Sequence, residues 1–203
     1  MRFAAAQVPD ICDDVPAAIR VMHRLGVEAG RQGARLVCFP EAFLQGYRVE
    51  DEYICRVAID LDSPRFDRIL AALEEIVPVV VFGLFEVSAG RYYITAAVIA
   101  RGVLVGRYRK HHLIGREQEI FTAGDVDPIF EIDGFSFAIN ICYDMQFPER
   151  AATPAALGAK LLVCPANNML RRAAAERWKH RHNEIRRAHA RGRGLVVERG
   201  CLW

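Results

Sequence analysis

YYITAAVIARGVLVGRYRK, residues 92–110, places two β-branched and aromatic runs on either side of Arg101-Gly102. Runs of this composition have strand character. Glycine tolerates the positive φ of a tight turn, so the segment reads as a β-hairpin that ends on Lys110. A second hairpin signal follows, with PIFEID and FSFAINIC flanking Asp133-Gly134. The flanking segments obey a different rule. RFAAAQV at the start reads as a strand, and residues 15–30 carry Ile19, Met22 and Val27 at helical spacing. Gly33 then precedes the short buried run RLVCFPE. Residues 64–77 read as a helix with Phe66, Ile69, Leu70 and Leu73 on one face, and Pro78 opens the strand VVVFGLFE. Further on come a short helix over 148–157, the buried strand KLLVCP, and a long basic helix over 170–190. Strand–helix units alone would describe a parallel doubly wound sheet. Hairpins mixed with them describe an α/β sandwich.

The bulk properties are those of one globular domain. The chain has 203 residues, 52% hydrophobic and 26% charged, which suffices for a core without covalent staples. No segment approaches the roughly 18–20 apolar residues needed to cross a bilayer. The opening MRFAAAQVPDICDD lacks the apolar region of an export signal, so the expected compartment is the cytoplasm. Six cysteines, at 12, 38, 55, 142, 164 and 201, are scattered without CxxC spacing. Neither a disulfide framework nor a structural zinc site is expected from them. Residues 1–170 hold 17 Lys+Arg against 22 Asp+Glu, whereas residues 171–203 hold 10 against 3. The basic end reads as a solvated helix face, because no aromatic-basic pattern accompanies it to indicate nucleic-acid binding.

Three reactive side chains follow predicted strands: Glu41 after LVCFP, Lys110 after LVGRYR, and Cys142 after FSFAINI. Sites in open α/β folds gather beyond the carboxyl ends of strands. By residue type alone Cys142 is a buried core thiol, since free cysteine packs as a small hydrophobe. A carboxylate to take its proton and an ammonium to stabilise oxyanion charge make the other reading, a nucleophile, workable. Cys38 and Cys164 lie inside LVCF and LVCP without reactive neighbours and read as core thiols. His111 and His112, adjacent on a strand, would point to opposite faces and hold no metal together. His180, His182 and His189 read as polar-face residues of the basic helix.

FPEAFLQGY (39–47), YRKHHL (108–113) and CYDMQFPE (142–149) resemble the three signature blocks of the carbon–nitrogen hydrolase, or nitrilase, superfamily, and stand in its order. RFAAAQ, EQEIFTAGD, GAKLLVCPAN and WKHRHNEIRR extend the similarity to about residue 187. The resemblance implies a nitrilase-like four-layer αββα sandwich and a Glu–Lys–Cys triad that cleaves non-peptide C–N bonds through a thioester. Glu41 would be the general base, Lys110 the oxyanion stabiliser and Cys142 the nucleophile. Glu117 matches the place of a second glutamate, with Glu119 as its fallback. The backbone N–H of Tyr143 would assist at the oxyanion. Asn167 and Asn168 follow a strand end and are candidates to line the pocket, against a structural or solvent-facing role. Arg116, Arg150 and Arg171 are candidate anchors for a substrate carboxylate, against a solvent-facing or structural role.

The nitrilase branch usually carries Trp-Glu after the nucleophile, where this chain has Tyr143-Asp144. The resemblance therefore implies a small-molecule amide or N-carbamoyl amine as substrate. It implies no cofactor, metal, nucleic acid or membrane, and it implies a homo-oligomer. The pattern breaks in RAHARGRGLVVERGCLW, where an acid-asparagine pair and further strands are expected. Residues 1–190 thus read as an incomplete hydrolase domain lacking its C-terminal strands, and 191–203 as an atypical tail. The expected consequence is weak or no activity, and the alternative is a weakly active or inactive family member that acts only as a binding or assembly protein.

Overall fold

The structure, a computed structural model, describes residues 1–167, 172–190 and 196–202. Its first sheet grows from two strand–helix units. Strand β1 (Arg2–Ala5) leads to helix α1 (Val15–Arg31), which returns to β2 (Ala34–Cys38) parallel to β1. Asp14 caps α1 by accepting from Ala17 N at 2.8 Å, and Pro16 lies in its first turn. Helices α2 (Asp51–Val57) and α3 (Pro64–Ala72) lead to β3 (Val79–Ser88), parallel to β2. The Ser63 hydroxyl caps α3 by accepting from Phe66 N. The helical signal predicted to run to residue 77 stops at Ala72, and α2 carries no periodicity long enough to stand out.

The chain then reverses twice. Strand β4 (Arg91–Ala100) pairs antiparallel with β3, and β5 (Val103–Arg109) pairs antiparallel with β4. Arg101 and Gly102 both have positive φ, 51° and 72°, as the two-residue hairpin requires. The result is a five-stranded sheet in the order β1-β2-β3-β4-β5. After the single-turn helix α4 (Glu117–Ile120) the second sheet starts with β6 (Phe130–Ile132) and β7 (Phe135–Ile139), joined at Asp133-Gly134. Helix α5 (Glu149–Ala156) connects to β8 (Leu161–Asn167), parallel to β7, and α6 (Arg172–Ala190) follows. The tail, read in the sequence as a run outside the pattern, supplies β9 (Val196–Leu202). It pairs in parallel with β8 at every position from Leu161↔Val196 to Asn167↔Leu202.

Three apolar clusters show how the layers stack. Leu36, Val81, Phe85, Ile94 and Val98 of the first sheet meet Phe130, Phe137, Ile139, Leu161 and Val163 of the second. The alternate residues of the first sheet, among them Val37, Val80, Phe82 and Ile99, face Met22 of α1 and Phe66 and Ile69 of α3. Ala138, Leu162 and Cys164 face Ala151 of α5 and Ile185 of α6. The layers run helix, sheet, sheet, helix, the αββα sandwich. Strands β3, β4 and β8 are buried on both faces, which explains their near-continuous apolar runs.

Candidate active site

Glu41 lies three residues beyond β2 in a loop stitched to β3. Phe39 N donates to Val81 O at 2.7 Å, Gly83 N to Pro40 O at 3.0 Å, and Leu44 N to Gly83 O at 3.1 Å. A Cβ at Gly83 would fall 2.2 Å from Ala42 N and 2.6 Å from Glu41 Cα, so only glycine lets the loop sit this close. Lys110 directly follows β5 and keeps the sheet register, with its N–H on Ile94 O at 2.8 Å and its C=O accepting from Gly124 N at 2.9 Å. Glu117 opens α4. Cys142 follows β7 at the start of a 3-10 turn (Cys142–Gln146).

The side chains converge on Lys110. Its Nζ donates to Glu41 Oε1 at 2.8 Å and to Glu117 Oε1 at 2.7 Å, and all three side chains are 1% exposed. Glu41 Oε2 accepts from Asn167 N at 3.1 Å, and Glu117 Oε2 from Ile114 N at 2.9 Å. The half-buried Cys142 has its Sγ 3.9 Å from Asn167 O. Glu41 and Cys142 thus flank the same residue, the last of β8, one on its N–H and one on its carbonyl.

Burial pulls the Lys110 ammonium down, but Glu41, the Cys142 sulfur and Glu117 outweigh it and hold its pKa above the ordinary lysine value. Burial raises the Glu41 carboxyl, Lys110 opposes that rise, and the net direction is upward. Two buried carboxylates about one ammonium leave the cluster with one net negative charge when all are ionised. A proton lost from Cys142 to solvent would add a second. A proton passed from Cys142 to Glu41 leaves the total unchanged.

Cys142 adopts φ = 44°, in the left-handed region that costs a residue bearing a Cβ about 1–2 kcal/mol. Ala42, next to Glu41, is similarly placed at φ = 49°. Strain of this kind persists only where surrounding contacts over-determine it. Tyr143 is the second residue of the Cys142 turn, where a backbone N–H has no partner inside a helix. Its ring meets Phe147 edge-on at 5.3 Å. Asn167 is 8% exposed, and among the described residues neither its Oδ1 nor its Nδ2 has a hydrogen-bond partner.

The other sequence candidates are placed elsewhere. Glu119, the fallback for Glu117, is exposed on α4. Arg150 is tied to Asp127 at 2.8 Å and to His111, and the exposed Arg116 lies 3.6 Å from Asp51. Asn168 and Arg171 lie outside the described residues. His111 and His112 sit in a bend after β5 instead of on the strand: His111 stacks on Tyr108 and His112 on Phe147. His189, expected on the polar face of α6, is buried, with Nε2 2.8 Å from Met145 O in the Cys142 turn. Among the described residues no group of three or more His, Cys, Asp or Glu side chains is arranged to hold a metal ion, and no helix is long and apolar enough to cross a membrane.

Sequence reasoning passed over Tyr47, whose hydroxyl donates to Glu117 Oε1. Its only signal was membership of the FPEAFLQGY block. Burial, then Glu41 and Glu117, hold its hydroxyl far above the usual phenol range, so it stays protonated and donates a hydrogen bond to the carboxylate.

Comparison with known proteins gives a family match over residues 2–194, to the carbon–nitrogen hydrolase model. The chain is 36% identical over 174 residues to the "Hydrolase in pqqF 5'region" of Pseudomonas protegens, covering 84% of this chain and 60% of that protein. It is 34% identical over 143 residues to a nitrilase of Pyrococcus abyssi, covering 69% and 55%. It is 31% identical over 134 residues to an (R)-stereoselective amidase of Pseudomonas sp, covering 66% and 48%. The chain therefore spans about half to three-fifths of the length of these curated relatives. In fold it is similar to an amidase from Nesterenkonia sp., with a TM-score of 0.84 at 23% identity over 100% of this chain and 76% of that one.

Proposed function

The chain belongs to the carbon–nitrogen hydrolase family, and from that premise we propose that it hydrolyses a small amide or N-carbamoyl amine through a thioester on Cys142. The observation that carries this reading is the buried Lys110 ammonium, 2.8 Å from Glu41 and 2.7 Å from Glu117, with the strained Cys142 turn beside it. A buried cation between two carboxylates is costly to build and adds little to stability compared with apolar packing. It is readily understood as a place where negative charge develops.

A thiol near its ordinary pKa of about 8.5 is only a few per cent ionised at neutral pH and needs a base. Glu41, whose proton affinity is raised by burial, takes the Cys142 proton as sulfur attacks the carbonyl carbon. The oxyanion is met by Lys110 and by the Tyr143 N–H. Collapse breaks the C–N bond, and Glu41 returns the proton to the departing amine. Water then gives a proton to Glu41 while attacking the thioester. The S–C bond breaks, the carboxylic or carbamic acid leaves, and the thiol regains its proton. Glu117 and Tyr47 keep Lys110 charged and fixed. The unpartnered Asn167 amide offers both a donor and an acceptor to the substrate, as an amide or carbamoyl group requires.

Tyr143-Asp144, where the nitrilase branch has Trp-Glu, favours amide or carbamoyl substrates over nitriles, and the amidase among the relatives agrees with that class. The test is ammonia release from panels of amides, N-carbamoyl amines and nitriles, with Cys142→Ala as control. The proposal expects release from the first two panels that vanishes in the variant. Release from nitriles alone would overturn the substrate class. Equal rates in both proteins would overturn the nucleophile. A family member that only binds would release no ammonia from any panel.

A further inference from the structure

Asp144 is wholly buried and takes no part in the chemistry just described, yet it is the most heavily bonded carboxylate near the site. Its Oδ2 accepts from Ile141 N and from the Tyr108 hydroxyl, both at 2.9 Å. Its Oδ1 accepts from His112 N at 2.8 Å and lies 3.1 Å from His112 Nδ1. A carboxylate has about four lone-pair positions, and here each faces a ring or backbone nitrogen or a hydroxyl. Those groups come from two separate places. Ile141 precedes Cys142, and Asp144 N returns a bond to Ile141 O at 3.0 Å, closing the turn around Cys142 and Tyr143. Tyr108 and His112 stand two residues before and two residues after Lys110. One carboxylate thus bolts the backbone that carries the ammonium to the turn that carries the thiol.

The strained φ of Cys142 needs such a fastening, because without it the turn would relax to the ordinary negative-φ region and carry both the sulfur and the Tyr143 N–H away from Lys110. Further contacts lock the same unit. The His112 ring stacks on Phe147 at 3.6 Å, just past the turn, and the Tyr108 ring stacks on His111 at 5.1 Å. We infer that Asp144 is a positioning residue, the clamp that sets the Cys142 sulfur and the Tyr143 N–H in register with the Lys110 ammonium. The inference rests on the reading of Cys142 as the nucleophile.

The test is peptide-resolved labelling of the full chain with iodoacetamide, comparing Cys142 with the buried Cys38 and Cys164. In the unaltered protein Cys142 labels faster than either. Failure at this step removes the nucleophile reading, and the clamp with it. Asp144→Asn keeps the shape but replaces one acceptor oxygen by a donor amide, so at least one of the four partners is repelled. The expected result is Cys142 labelling slowed by about 10-fold or more, as small misplacements commonly cost, with Cys38 and Cys164 still slow. A purely structural role would instead loosen the core and speed Cys38 and Cys164. That outcome, or an unchanged Cys142 rate, overturns the clamp while leaving the nucleophile standing. Should Asp144→Asn fail to fold, Tyr108→Phe removes a single donor at the β5 end. It is expected to slow Cys142 about threefold, and an unchanged rate overturns the proposal.

Discussion

Lys110 keeps its charge in the interior because Glu41, Cys142 and Glu117 outweigh the cost of burial, and the same burial leaves Glu41 holding its proton more tightly than an ordinary carboxyl. The sign of the consequence follows by linkage. Because the folded pKa of Glu41 is raised, its contribution to stability is favourable below its unfolded value of 4.5 and is lost as pH rises through the folded one. Lys110, also raised, contributes fully below its ordinary value of 10.5 and loses that contribution only as pH climbs through the folded value. For activity the base must be ionised. The acid limb of kcat/KM should therefore lie above 4.5, and Glu41→Gln should abolish the limb while lowering the rate by about 100-fold or more. A limb at or below 4.5, or one that persists in the variant, would count against Glu41 as the base. Cys12 is likewise tuned upward: burial and the Asp10 carboxylate push its thiol up to about 11, which leaves it less ionised than an ordinary thiol at neutral pH.

At the scale of elements, the site depends on how closely loops lie against strands. Gly83 in β3 lets the Glu41 loop pass, because any Cβ there would meet backbone atoms at 2.2–2.6 Å. Gly83→Ala should destabilise the fold by about 1–3 kcal/mol, as overpacking does, and should lower ammonia release by about 10-fold or more. Thermal melts and the release assay measure the two, and a fully active Gly83→Ala protein would show that the loop tolerates displacement. The hairpins were legible in the sequence because Arg101-Gly102 and Asp133-Gly134 supply the positive φ that two-residue turns need. Helix α1 was legible because its apolar spacing is long and its start is punctuated by Asp14 and Pro16. Helix α2 was not, since seven residues give too short a period. The shortfall of α3 reflects the same limit: Leu73 and Ile76 are buried, so the apolar spacing continues past Ala72 after the helical hydrogen bonding has stopped.

For the whole molecule, the two sheets bury a common core and bring the ends of β5, β7 and β8 to one place. The sequence could name Glu41, Lys110, Glu117 and Cys142 because they sit in recognisable blocks. It could not reveal Tyr47 or the bonds of Asp144, because long-range contacts leave no local period. Nor did RGLVVERGCLW announce β9, whose apolar residues are interrupted by charge and glycine. Since β9 covers the open edge of β8, and β8 ends on the Asn167 backbone that meets both Glu41 and Cys142, its removal should reach the site. Deleting residues 196–203 should lower the melting temperature by about 5 °C or more, promote aggregation and reduce Cys142 labelling. Unchanged melting and labelling would mean that β9 adds nothing to the second sheet. The central claim is tested most directly by intact-mass and peptide mass spectrometry on protein quenched with acid during turnover of an amide. The account predicts a mass increase equal to the acyl group, carried on the Cys142 peptide and absent from Cys142→Ala. Turnover with no acyl adduct on Cys142, or an adduct carried by another residue, would contradict it.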